Sequence, residues 1–125
     1  MLGGRARQII FSKQFEYYSP QATLFELPKH IPWLASRLRK PELELFEEFQ
    51  LLPIVALQPS AYDHQVDRAT TLIGQRDPLD IPLLALGLAR GYPIWSDDRD
   101  FEGIEVIRLF KTADLISRLA QQRPE

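Results

Sequence analysis

The sequence predicts an α/β fold with a parallel sheet flanked by helices, because short apolar segments alternate with longer segments of helical periodicity. Such alternation is typical of strands joined by helical crossovers, which place helices on both faces of the sheet. The 125 residues suit one compact domain spanning residues 1–125. The predicted strands cover residues 15–19, 53–57, 93–96 and 104–109.

Helices are predicted wherever apolar residues recur at spacings of three and four. Pro28 and Pro32 must kink or divide the second of these helices, because each removes a backbone donor. Glu42, Glu44, Glu47 and Glu48 are interpreted as the solvated face of the third. The predicted helices cover residues 1–15, 21–38, 41–50, 58–74, 77–91 and the segment from 112 onward.

Residues 76–101 carry the clearest local signals in the chain. Asp77 is a predicted N-cap, and Pro78 suits the first helical position because it has no N–H to satisfy. Gly91 is expected to end this helix in a left-handed conformation. Thr112 is predicted to cap the final helix in the same way as Asp77.

The composition excludes several classes of protein. A net charge of −2 argues against a protein that simply coats nucleic-acid phosphates. The chain has no cysteine, so thiolate zinc sites and disulfide frameworks are excluded, and His30 and His64 share no metal-ligand spacing. No apolar run approaches the roughly 20 residues of a membrane span. A reducing cytoplasm is the expected location.

Carboxylates gather immediately after the third predicted strand. Asp97, Asp98 and Asp100 follow its carboxyl end, which is the edge where ligands bind in open α/β sheets. Clustered carboxylates repel one another unless a cation is present, and hard divalent ions take oxygen ligands. A Mg²⁺ or Mn²⁺ site using Asp98, Asp100 and Asp80 is therefore predicted. Two alternatives remain open, in which Asp80 serves its helix N-terminus and the aspartate cluster is a solvated turn.

Three segments together resemble the PIN domain family, in particular the bacterial and cyanobacterial group of toxin components from toxin–antitoxin pairs. The similarity extends over essentially the whole chain. The resemblance implies a three-layer, Rossmann-like fold, and active members of the family are metal-dependent ribonucleases. The segments are T-L-F-E-L-x-K-H at 23–30, D-x-x-D-I-P-L-L-A-L-x-L at 77–88 and G-x-P-I-W-S-x-D-x-D-F at 91–101.

The resemblance also implies a set of site residues. Ser96 matches the hydroxyl position of the last motif, and Asp97 is interpreted as an outer-shell or solvent residue. On local grounds alone, Glu26 could instead pair with His30 one helical turn away. The implied catalytic and metal-binding carboxylates are Glu26, Asp80, Asp98 and Asp100.

The expected substrate is single-stranded RNA, and the expected protein partners are an antitoxin and a second copy of the chain. Arginines at the rim of the site could contact RNA phosphates, although isolated arginines are usually solvated. These arginines are Arg5, Arg7, Arg76 and Arg99.

The chain departs from the family pattern at its start. Family members begin with a central strand ending in an aspartate, whereas Met1 to Gly4 match the residues just after it. The first strand and one metal ligand are therefore expected to be missing, with an altered sheet or close dimerisation as the consequence. A late start, a truncated relic and replacement by another element are three open explanations. The alternative function is a binding module that has lost catalysis with that strand.

Overall fold

The structure, a computed structural model, describes residues 4–74, 78 and 80–122. The predicted cap Asp77 and the candidate RNA contact Arg76 lie outside these residues. The strands are β1 (Tyr17–Pro20), β2 (Ile54–Leu57), β3 (Ile94–Trp95) and β4 (Leu109–Phe110). The helices are α1 (Gly4–Ile10), α2 (Gln21–Glu26), α3 (Ile31–Leu38), α4 (Glu42–Leu51), α5 (Val66–Ile73), α6 (Asp80–Arg90) and α7 (Thr112–Gln122).

The predicted α/β fold with parallel strands is confirmed, but the strands form two separate pairs. β1 pairs with β2 in a parallel register that sets Tyr17 opposite Ile54. β3 pairs with β4, also in parallel, with Ile94 opposite Leu109. Each pair is a two-stranded sheet of its own. The absence of a first strand relative to the family pattern stays a prediction.

Proline and glycine divide the helical segments as expected. A 3₁₀ turn over Leu27–His30 separates α2 from α3, with Pro28 and Pro32 each near the start of a new segment. Gly91 has a φ of +67°, and α6 ends immediately before it, as predicted.

Three predicted elements are shorter than expected. The first helix stops at Ile10, and Lys13 beyond it has a φ of +62°. The segment predicted as one helix over 58–74 begins with two 3₁₀ turns, Pro59–Ala61 and Asp63–Gln65, before α5.

The strand predicted over residues 104–109 is wrong for most of its length. The Ile104 amide donates to Phe101, and the Ile107 amide donates to Ile104, so this segment is a series of turns. Both isoleucines pack against the same core cluster. Residues three apart can share one face in turns, whereas an extended strand would point them to opposite faces.

The core consists of three clusters. The largest joins α5 and α6 to β3 through residues such as Ile73, Leu84 and Ile94. A second lies between α3 and α4 around Leu45, and a third lies between α1 and α7 around Ile9. Among the described helices, none combines the length and the hydrophobicity needed to cross a bilayer.

Glu48 corrects the interpretation of α4 as carrying only solvated glutamates. Its exposed fraction is 8%, and its Oε1 lies 2.9 Å from Nη2 of Arg7 and 4.0 Å from Nζ of Lys40. Arg7 belongs to α1, so this ion pair fastens α1 to α4. The contact also accounts for Arg7, which was a candidate RNA contact.

Candidate metal centre

The structure brings three aspartates together at one end of β3. Asp80 is the first residue of α6, and Asp98 and Asp100 lie in the turn after β3. One carboxylate oxygen from each lies within 4.8 Å of the others. Asp98 is exposed, while Asp80 and Asp100 are partly buried. Sequence reasoning predicted all three of these residues.

Packing of α6 fixes the position of Asp80. Leu84 lies one turn after Asp80 and is fully buried, as is Ala85. These residues join the cluster that contains Ile94 of β3, so the first turn of α6 is held beside the end of that strand. The helix N-terminus also favours a negative charge at Asp80.

A chain of side-chain to backbone hydrogen bonds orders the turn after β3. The Ser96 Oγ accepts a bond from the Asp98 amide at 3.0 Å, and Asp98 Oδ1 accepts one from the Asp100 amide at 2.9 Å. The 3₁₀ turn Arg99–Phe101 follows, and the Phe101 side chain is buried in the main core cluster. Ser96 therefore orients Asp98, as its predicted supporting role implies, and Phe101 anchors the segment that carries Asp100.

Asp97 has a structural contact that the sequence did not indicate. Its carboxylate accepts hydrogen bonds from the Thr112 amide at 2.9 Å and from the Thr112 hydroxyl at 2.6 Å. These bonds, mainly that of the hydroxyl, hold the pKa of Asp97 below its usual range. The Trp95 indole donates to the same Thr112 hydroxyl at 3.0 Å. The segment after β3 is thereby tied to the start of α7.

These contacts correct the predicted capping role of Thr112. Its hydroxyl bonds to Asp97 and Trp95, while the Asp114 carboxylate accepts a bond from the Lys111 amide at 2.9 Å. Asp114 lies three residues after Lys111, the spacing of a capping box. The first-turn donors of α7 are thus satisfied by one carboxylate from the helix itself and one from the β3 turn.

Glu26 does not belong to the three-aspartate group. Its Oε1 lies 2.9 Å from Nζ of Lys29, and this pairing replaces the local alternative with His30. The 3₁₀ turn after α2 has three residues per turn, so it places Lys29 rather than His30 next to Glu26. A fourth carboxylate at the site therefore requires Glu26 to leave Lys29.

Two arginines lie near the aspartate group. Arg99 is exposed in the 3₁₀ turn between Asp98 and Asp100. Arg5 of α1 is exposed, and its positive charge contributes to lowering the pKa of Asp97. The position of Arg5 depends on the docking of α1 against α7, which no local sequence signal reveals.

The donor set suits a hard divalent cation. Three carboxylate oxygens within reach of one another supply negative charge and oxygen ligands, which Mg²⁺ and Mn²⁺ prefer. Mg²⁺ in proteins usually retains several waters and binds through a few carboxylates. The exposure of Asp98 leaves room for waters or a phosphate on the solvent side.

Comparison with known proteins adds one finding. A family model described as PIN domain matches residues 1–118. Neither the curated proteins nor the solved structures give a match to the chain.

Proposed function

Because the chain belongs to the PIN domain family, whose members are generally metal-dependent nucleases, we propose that it hydrolyses single-stranded RNA at the Asp80–Asp98–Asp100 group. The observation that carries this proposal is the convergence of three carboxylates from two separate elements, α6 and the turn after β3. Residues 18 positions apart in the chain meet there because α6 packs on β3.

The proposed cofactor is Mg²⁺ or Mn²⁺, held by the three aspartates. A divalent ion bound there supplies Lewis acidity and lowers the pKa of a coordinated water. Asp80 contributes from a partly buried and rigid helix start, whereas Asp98 faces solvent, where a phosphate can approach. Ser96 keeps Asp98 oriented through the hydrogen bond between its Oγ and the Asp98 amide.

The proposed RNA contacts are electrostatic. Arg99 is exposed beside the aspartates and can pair with a backbone phosphate, and Arg5 lies on the side of Asp97. Both would offset the repulsion between the substrate phosphates and the carboxylates. Arg7 is already occupied by Glu48 and is omitted from this proposal.

We also propose an antitoxin as the controlling partner and self-association of the chain. Support comes from large apolar side chains left exposed on α2, α3 and α4, because such patches mark protein contacts. These side chains are Phe25, Trp33, Leu43, Phe46 and Leu51.

The decisive experiment is cleavage of a fluorogenic single-stranded RNA in the presence of Mn²⁺. Wild-type protein is expected to cleave, and Asp98→Asn is expected to lose at least tenfold in rate, because a metal-bound carboxylate becomes a neutral amide. Asp63→Asn is the matched control, since Asp63 is an exposed aspartate far along the chain from the group. Equal activity of the two variants would remove Asp98 from the mechanism.

A second candidate function is a metal-binding module without catalysis. It is favoured by the pairing of Glu26 with Lys29, which leaves three carboxylates in the group instead of the four that the family resemblance implies. Titration calorimetry with Mn²⁺ separates the candidates. Ion binding that Asp98→Asn weakens, together with no cleavage of RNA or DNA, supports the module.

A further inference from the structure

A cavity of about 620 Å³ lies between the two half-sheets. β1 uses one of its edges to pair with β2, and β3 uses one of its edges to pair with β4. Residues of both β1 and β3 line the cavity. The volume falls in the range of roughly 300–1,000 Å³ that ligand pockets occupy.

The pattern of lining residues shows that the cavity meets the edges of β1 and β3. Successive side chains of a strand point to opposite faces, so a cavity over one face touches alternate residues. Here Tyr17, Tyr18 and Ser19 of β1 all line it, and so do both residues of β3. Consecutive lining residues indicate contact with the strand edge, where main-chain donors and acceptors are presented.

Aromatic pairs bound the cavity on both faces. Tyr17 packs against Trp95 with ring centroids 6.0 Å apart, and Tyr18 packs against Tyr92 at 5.1 Å. Since Tyr17 and Tyr18 are neighbours on a strand, these pairs lie on opposite sides of the gap. The surrounding helices add apolar side chains, including Ile10, Leu86 and Leu115. An occupant must therefore present apolar side chains to both faces.

Thr23 provides an independent indication of a polar occupant in the same place. Its hydroxyl oxygen is shielded from solvent and has no hydrogen-bond partner among the described residues. Thr23 lines the cavity. Buried polar atoms are nearly always hydrogen-bonded, so a main-chain group arriving in the cavity would complete this one.

Two arginines give one wall of the cavity a positive charge. The guanidinium groups of Arg108 and Arg118 both stack on the ring of Phe110, at 5.2 and 4.6 Å from its centroid. Within the described part of the chain, neither forms an ion pair with a carboxylate. Glu16, which also lines the cavity, accepts a hydrogen bond from the Tyr18 hydroxyl at 3.2 Å. The pair of arginines therefore selects an acidic group.

We propose that this cavity, the strand slot, binds an extended segment of another polypeptide, apolar at its centre and acidic at the end beside Arg108 and Arg118. The main chain of this segment pairs with β1 on one side and with β3 on the other. Pairing on both sides joins the two half-sheets into one continuous sheet. This interaction surface is separate from the proposed nuclease activity, and its test uses no RNA and no metal.

The probe is a mixture of fluorescein-labelled octapeptides with Val, Ile or Leu at six central positions and Glu at either terminus. Fluorescence anisotropy with the full chain measures binding. The matched control mixture carries two N-methylated central amides, which keep the apolar side chains and remove main-chain donors. Loss of two such hydrogen bonds, at about 1 kcal/mol each, predicts at least tenfold weaker binding. Equal binding of the two mixtures, or no binding of either, overturns the proposal.

Charge recognition and location are tested on the protein. Replacing the terminal Glu by Gln in the peptides is expected to weaken binding about threefold, the effect of an exposed ion pair. The double variant Arg108→Gln/Arg118→Gln should abolish that preference, whereas Arg68→Gln on the exposed face of α5 should keep it. Amide hydrogen exchange should slow at Tyr18 and Trp95 when peptide binds. Protection elsewhere, or sedimentation showing that a second copy of the chain excludes the peptide, overturns the proposal.

Discussion

At the scale of single residues, Asp97 shows how a carboxylate next to a metal-binding group can have a structural task. It accepts two hydrogen bonds from Thr112 and so satisfies a first-turn donor of α7. Asp98, its neighbour, turns to the opposite task of holding the Asp100 backbone and offering an oxygen to the group. Two adjacent, identical residues therefore differ in role only because of what folds against each.

Asp97→Ala is expected to lower the free energy of unfolding by about 1 kcal/mol at pH 7, the usual effect of losing a helix-capping acceptor. The pKa of Asp97 is lowered in the folded state, so its charge stabilises the fold above the unfolded pKa, near 3.9. That contribution is lost as the pH falls through the folded pKa. Urea denaturation at pH 7 and below pH 3 measures the difference, with Glu105→Ala as an exposed control. A loss independent of pH would contradict the charged hydrogen bonds.

Glu48→Gln is expected to destabilise the protein by about 1–2 kcal/mol, because it removes the charge that holds Arg7 and Lys40 at a nearly buried position. Glu47→Gln, in the same helix but exposed, is the control and should change stability little. Chemical denaturation of Glu48→Gln, Arg7→Gln and the double variant gives the coupling energy. Additive single effects would mean that the ion pair does not fasten α1 to α4.

At the scale of elements, local chemistry predicted the boundaries that proline and glycine impose. Pro28 and Pro32 divided the helix where expected, and Gly91 ended α6 with a positive φ. The failures occurred where neighbours decide. Ile104 and Ile107 read as a strand by composition, but they pack on one core cluster through turns, and the sequence alone does not contain that cluster.

Gly87→Ala tests the close approach of α6 to β3. A Cβ at Gly87 would lie 3.0 Å from Cδ1 and Cγ1 of Ile94, whose side chain is buried and cannot move away freely. Overpacking costs about 1–3 kcal/mol, and the better helix propensity of alanine returns about 1 kcal/mol. A net loss of about 1 kcal/mol is expected in thermal or urea denaturation.

Two further variants check the cause of that loss. Adding Ile94→Val, which removes Cδ1, should make the Gly87→Ala change nearly neutral. Gly4→Ala in α1, where a Cβ meets nothing within 4 Å, should not destabilise the protein. A loss at Gly87 that persists with valine at position 94 would show that the contact with Ile94 is not responsible.

At the scale of the whole molecule, the candidate site was predictable to the extent that it depends on one helix and one turn. Asp98 and Asp100 are close in sequence, and Asp80 follows because α6 and β3 share a core cluster. Glu26 lies on α2 in the other half of the molecule, beside β1, and its side chain is drawn to Lys29. The separation of the strands into two pairs has no local signal, because it depends on which edges meet in three dimensions.

The same arrangement predicts that a divalent ion stabilises the whole fold. An ion held by Asp80 and by Asp98 and Asp100 links the start of α6 to the turn after β3, and it binds the folded chain only. At an ion concentration about 100 times the dissociation constant, the gain in unfolding free energy is about 2.7 kcal/mol. Thermal denaturation with and without Mn²⁺ measures this gain, and a chelator should reverse it. Asp98→Asn should lose most of the gain while Asp63→Asn keeps it, because Asp63 lies outside the three-aspartate group. If both variants respond to Mn²⁺ as the wild-type protein does, the ion binds elsewhere, and the three aspartates are a solvated acidic turn against a helix N-terminus.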